Sequence, residues 1–200
     1  MTVAQRAIVA VACLPFLVGS AQAWTAEEVI KSYPITGTTG AELYASIGER
    51  GPKLGPTRAI AATSFKLTWT RRYERQGDAC TLVTARPKLL ITYQLPKPSA
   101  KLAGTMAERW AVFISGVTAH EHVHGDMIRD LVRKIEAATL GLSMPDDPNC
   151  IKIKTEMTTR LGALSQEQRR KSREFDGQEL SNGGRVHQLV LDLVNGDREP

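Results

Sequence analysis

Residues 105–140 read TMAERWAVFISGVTAHEHVHGDMIRDLVRKIEAATL, and the fold turns on this stretch. Trp110, Phe113, Val117, Met127, Ile128, Leu131, Ile135 and Ala138 recur three and four apart over many turns, the spacing of one long amphipathic helix. Gly141 and Pro145 end it. Inside it, residues 120–124 are His-Glu-His-Val-His, so His120, Glu121 and His124 satisfy H-E-x-x-H. Side chains four apart on a helix sit one turn above each other, so both imidazoles can reach one ion. Phe113, Val117, His120, His124, Ile128 and Leu131 share a face, which turns both imidazoles inward, where a buried polar group needs a partner. A metal supplies one. Glu121, about 100° around the helix, is placed to touch a water rather than to ligate. His122 lies about 200° from His120 and is expected at the surface. The pattern therefore predicts Zn2+ on His120 and His124, with Glu121 as the base that takes a proton from the activated water. Two core histidines hydrogen-bonded to backbone or carboxylates are the competing reading.

Working outward, Ser32-Tyr33-Pro34-Ile35 reads as extended, and Thr39 can cap a short helix over residues 41–48 that Gly51-Pro52 stops. Phe65, Leu67 and Trp69 alternate with Lys66, Thr68 and Thr70, the period of a half-buried strand. Gln76-Gly77-Asp78 is a turn. Residues 80–84 and 89–95 read as two further strands, with Arg86-Pro87 interrupting them, and Pro96 and Pro98 close this strand-rich half. On the other side of the long helix, residues 151–175 form a return helix, Asn182-Gly183-Gly184 a loop, and residues 186–194 a last helix. Strands first and helices second predict an α+β fold. A small antiparallel sheet packs on the H-E-x-x-H helix and its antiparallel return helix, a zincin-like arrangement in a single domain over residues 24–200.

The chain has 200 residues, 42% apolar and 24% charged, which excludes fibrous and largely disordered classes. Residues 7–18 are apolar behind Arg6, and Ala21-Gln22-Ala23 offers the small-x-small pattern of signal cleavage. Residues 1–23 are therefore read as a signal peptide and the protein as secreted or periplasmic, with no membrane span after signal removal. Acylation at Cys13 would need cleavage inside the apolar run. Basic residues gather at Arg71-Arg72 and Arg169-Arg170-Lys171 but are interleaved with Glu, a solvated face rather than a nucleic-acid patch. Once Cys13 leaves with the signal, Cys80 and Cys150 form an even pair, read as one disulfide in an oxidising compartment.

From Tyr33 to Gly183 the chain resembles a bacterial family of predicted secreted zinc-dependent proteases, described largely as a domain of unknown function. Tyr33 with Gly37, Glu42-Leu43 and Gly51-Pro52 resemble its opening segment. The stretch from Thr63 to Trp69, Cys80 and Tyr93-Gln94-Leu95-Pro96 resemble its middle. Trp110, Phe113 and His120 to His124 resemble its metal helix, and Cys150 with Phe175-Asp176 its tail. The resemblance implies metal-dependent peptide hydrolysis.

A catalytic zinc needs a third protein ligand. Glu136 lies about 18 Å along the helix from His124 and cannot reach. A return helix beginning near Cys150 passes the histidines around Glu167, the geometric choice. Asp176, read as standing on the loop just past that helix, matches the aromatic-Asp tail of the resembled family and is preferred. His187 and Glu174 remain alternatives. Asp126 and Asp130 are the neighbours closest in sequence for orienting the imidazoles, and Tyr73, Tyr93 and Arg185 are candidates for oxyanion stabilisation. Trp69 and Tyr93 otherwise read as packing residues. The expected partner is a peptide or protein substrate, which an open edge strand could hold by strand addition; the oligomeric state is left open. The rival readings are a non-catalytic secreted domain that binds zinc or a partner, and an amide hydrolase acting on cell-wall peptides. Glu121 favours an enzyme, because a purely structural site needs no base there.

Overall fold

The computed structural model describes residues 24–196, and the signal-peptide reading of residues 1–23 lies outside them. The elements run β1 (Glu27–Ile35), α1 (Gly40–Arg50), β2 (Lys53–Leu54), β3 (Thr57–Arg58), β4 (Ala62–Gln76), β5 (Ala79–Pro98), α2 (Gly104–Thr139), β6 (Ser143–Met144), α3 (Lys152–Leu180) and α4 (Arg185–Asn195). The expected α+β class holds.

Thr39 caps α1 as its sequence requires. Its hydroxyl accepts from the Glu42 N–H at 3.2 Å, while the Glu42 carboxylate accepts from the Thr39 N–H at 3.2 Å, a reciprocal capping box. Beyond α1, the β4–β5 hairpin dominates the sheet. Its strands pair antiparallel from Ala62 opposite Gln94 to Gln76 opposite Ala79, with a bulge between Arg72 and Tyr73. The sheet order is β1-β5-β4, with β6 added to β5 beside Cys80 and Thr81. β1 runs parallel to β5, an orientation that residue alternation does not encode. β2 and β3 make a separate two-stranded hairpin.

One strand reading is corrected. β5 is continuous through Arg86-Pro87, with Pro87 opposite Trp69. Proline is tolerated here because the other edge of β5 carries no strand at that point. β1 begins pairing only at Leu90, and β6 stops at Thr81, so no ladder bond is forfeited on that edge.

The main core lies between the sheet and α1, α2 and α4, built from residues such as Ile35, Leu43, Ile91, Tyr93, Phe113, Val132 and Leu193. The helical stripe read from the sequence is the buried one: Phe113, Val117, His120, Ile128 and Leu131 are all buried. Tyr93 and Trp69 serve in packing, as expected. Gly125 lets α2 approach the sheet. A Cβ there would stand 2.1 Å from the Tyr93 hydroxyl oxygen.

A second core gathers Cys80, Leu82, Ala85, Ile153 and Met157 under the start of α3. The Cys80–Cys150 disulfide is present and closes a sequence separation of 70 residues. Together with Asp147, whose carboxylate accepts from the N–H groups of Ile151 at 2.7 Å and Ile153 at 2.9 Å, it pins the start of α3 to the sheet. Among the described residues no helix is long and apolar enough to cross a membrane.

Candidate metal centre

The start of α3 is drawn out past the end of α2, and this sets which of its residues meet the histidines. Arg160, two turns into α3, already donates to the Ala138 carbonyl at the C-terminus of α2 at 3.1 Å. The first turns of α3 therefore pack on the second core rather than on α2. A return helix starting flush with the end of α2 would have brought Glu167 to the histidines. The offset brings residues 172–179 instead.

The expectation that Asp176 stands on a loop is corrected too, because α3 continues through Gly177 to Leu180. One glycine in a helix costs only about 1 kcal/mol against alanine. From the helix, Asp176 Oδ1 reaches His124 Nε2 at 2.8 Å and His120 Nε2 at 3.2 Å. The two Nε2 atoms face each other at 3.2 Å. These three residues offer one ligand atom each, all within 4.8 Å of one another, and so form a group that could hold a metal ion. His120 is buried, while Asp176 stays 41% exposed and opens the group to solvent.

Glu121 sits beside the cluster and is buried. Thr63, at the start of β4, donates its hydroxyl to Glu121 Oε2 at 2.6 Å and stands 3.1 Å from the Glu121 carbonyl oxygen. Burial raises the Glu121 carboxyl above the ordinary range, against the Thr63 hydrogen bond and the nearby imidazoles. Burial also pushes the Asp176 carboxyl up, but its hydrogen bonds to His120 and His124 outweigh this and hold it well below the usual carboxylate range. Burial disfavours charge on His124, yet the Asp176 carboxylate more than compensates and raises it. Asp176 and His124 thus form a charge-assisted pair, with His120 beside them.

The outer partners come from α3 and not from α2. His124 Nδ1 lies 2.8 Å from Ser172 Oγ. His120 Nδ1 is buried without a hydrogen-bond partner, with Glu179 Oε2 standing off at 3.8 Å. Phe175 stacks on His120 at 4.7 Å between ring centroids. Asp126 and Asp130 pair with Arg129 and Lys134 instead. The other ligand candidates are engaged elsewhere. Glu167 and Glu174 bind Arg170, and His187 Nδ1 accepts from the Gly183 N–H. Tyr73 contacts Met157, Tyr93 lies in the core, and Arg185 opens α4. His122 is exposed, as expected, with its ring 4.7 Å from that of Tyr93. Ser172 and Glu179 belong to no motif in the sequence, and Thr63 only opens the stretch that resembles the family's middle segment. The heptad-like spacing of 172, 175, 176 and 179 was the available signal.

The cluster opens into a cleft of about 600 Å³ between the β2–β3 hairpin, the start of β4, α2 and α3. Its walls are largely apolar, and they include Leu54, Ile60, Phe65 and Leu180. β4 is an edge strand, and residues 59–63 with Phe65 line the cleft.

Fold and site together define an α+β protein whose long helices converge on a two-histidine, one-carboxylate group able to hold a metal. The chain belongs to a bacterial family described as proteins of unknown function (DUF922), whose model matches residues 30–184. That span contains both H-E-x-x-H and the α3 residues that complete the cluster. No curated protein and no solved structure matches the chain.

Proposed function

We propose that the protein is a secreted or periplasmic zinc-dependent metalloprotease, with a peptide or protein as its substrate. The observation that carries this reading is the convergence of His120 Nε2, His124 Nε2 and Asp176 Oδ1 beside a buried Glu121. The residues fit the ion chemically. Two imidazoles and one carboxylate are a donor set of catalytic zinc, which keeps a further position open. The Nδ1 atom of His124 is engaged by Ser172, leaving Nε2 as its ligand atom. Bound there, zinc supplies a Lewis acid that acidifies a water and polarises a carbonyl.

The remaining chemistry belongs to the chain. Thr63 occupies Glu121 Oε2, so Oε1 is the oxygen free to take the proton from the attacking water. The water oxygen bonds to the carbonyl carbon, the C–N bond breaks, and the same proton passes from Oε1 to the leaving amine. Burial raises the Glu121 carboxyl above the ordinary range, the direction that suits a general base. An extended peptide laid along the free edge of β4 would bring its backbone to this carboxylate. The Cys80–Cys150 disulfide supports an oxidising compartment.

The test is a peptide library cleaved by zinc-loaded protein. Parent protein should cleave it, Glu121→Gln should lose about 10²–10⁴-fold of that rate, and both should hold zinc equally. A folded, zinc-loaded parent that cleaves nothing would favour a non-catalytic zinc-binding domain.

A further inference from the structure

Ser172, Phe175, Asp176 and Glu179 fall at i, i+3, i+4 and i+7 on α3, a single helical stripe. Each of them meets the histidine pair. Ser172 reaches His124 Nδ1, Phe175 stacks on His120 and meets His124 edge-on at 5.4 Å, and Asp176 reaches both Nε2 atoms. Glu179 faces the unpartnered His120 Nδ1. α2 thus supplies the imidazoles, and one face of α3 supplies four residues packed against them.

We infer that Ser172 and Glu179 are positioning residues for the metal, each fixing one imidazole in the tautomer that carries its proton on Nδ1 and frees Nε2 for the ion. The inference rests on the metal reading above. An imidazole offers only one lone pair when neutral, so whatever accepts the Nδ1 proton decides which nitrogen can ligate. For His124 a hydroxyl oxygen able to accept that proton, Ser172 Oγ, stands at 2.8 Å. For His120 the Nδ1 position is buried, and a buried donor left unmade is costly. The Glu179 carboxylate stands a fraction of an ångström beyond hydrogen-bond reach, at 3.8 Å. Loading the ion on Nε2 fixes the proton on Nδ1 and makes that closure favourable. The stripe reads in sequence as Ser-x-x-Phe-Asp-x-x-Glu over residues 172–179.

The test measures Zn2+ affinity by competition with a chromophoric chelator, on full-length parent, Ser172→Ala, Ser172→Thr, Glu179→Gln and Glu174→Gln. Glu174 pairs with Arg170 on the same helix and controls for general effects on α3. Ser172→Ala and Glu179→Gln should each weaken binding about 10–100-fold. Ser172→Thr, which keeps the hydroxyl, and Glu174→Gln should stay close to the parent. The Co2+ absorption spectrum should keep its shape in all of them. Two-bond nitrogen–proton spectra of the zinc-loaded parent should place the proton of both rings on Nδ1. If the parent binds zinc but Ser172→Ala and Glu179→Gln bind as tightly as Glu174→Gln, the inference is overturned while the metal centre stands. A changed Co2+ spectrum in Glu179→Gln would make Glu179 a ligand and overturn the positioning role. A folded parent that binds neither metal removes the metal centre itself.

Discussion

Thr63 Oγ1 donates to Glu121 Oε2 at 2.6 Å, joining the start of β4 to the middle of α2 across 58 residues of sequence. The bond does two things. It gives one oxygen of a buried carboxylate a partner, and that carboxylate belongs to a residue lining the cleft.

Thr63→Val should therefore cost stability and rate together. Losing a hydrogen bond to a buried charged group destabilises by about 1.5–3 kcal/mol, measurable by urea denaturation. With Glu121 freed to rotate, kcat should fall roughly 10–100-fold with little change in KM. Thr63→Ser should restore both. A kcat unmoved in Thr63→Val would mean that the hydroxyl serves the fold alone.

Gly125 sets the distance between α2 and the sheet beside the His120–His124–Asp176 group. Gly125→Ala drives a methyl to 2.1 Å from the Tyr93 hydroxyl oxygen, an overpacking expected to cost about 1–3 kcal/mol. Tyr93→Phe removes the atom in the way and should recover part of that loss in the double variant. Thermal unfolding of the two singles and the double gives the coupling.

Asp147 makes stability at the start of α3 depend on pH. Burial pushes its carboxyl up, but the N–H groups of Ile153, Lys152 and Ile151, with the Lys152 charge, outweigh this and hold it below the ordinary range. A carboxyl with a depressed folded value contributes its stability in full above the unfolded value of about 3.9 and loses it as pH falls through the folded one. The melting temperature of the parent should drop more steeply below about pH 4 than that of Asp147→Asn, which should be a few degrees less stable at neutral pH. Parallel melting curves across that range would show that the carboxylate charge is not what holds the turn.

The disulfide should act on the site at a distance. Closing a loop of this length stabilises by about 4 kcal/mol on the chain-entropy model. Cys80→Ser with Cys150→Ser should lose stability of that order in urea. Because the bridge also fixes where α3 starts, zinc affinity should fall as well. A double variant that is less stable but binds zinc like the parent would uncouple the bridge from the register of α3.

These outcomes separate what the residues announced from what only packing decides. The helix stripe, the inward histidines, the Thr39 cap and the Cys80–Cys150 bridge are local or pairwise signals, and each was legible. Pro87 misled because its effect depends on whether a neighbour strand is present, which no local pattern states. Which of Glu167 and Asp176 faces the histidines cannot be read by counting turns, because it depends on how far the second core pulls α3 past α2. Thr63 was out of reach for a similar reason, since its role follows from the placement of β4 over α2.

The most direct measurement is an anomalous-difference map from crystals of the full chain grown with zinc. One strong peak should lie within bonding distance of His120 Nε2, His124 Nε2 and Asp176 Oδ1, with Glu121 beside it and unbonded. A well-ordered site without that peak, or an ion held elsewhere while the two imidazoles point apart, would contradict the account.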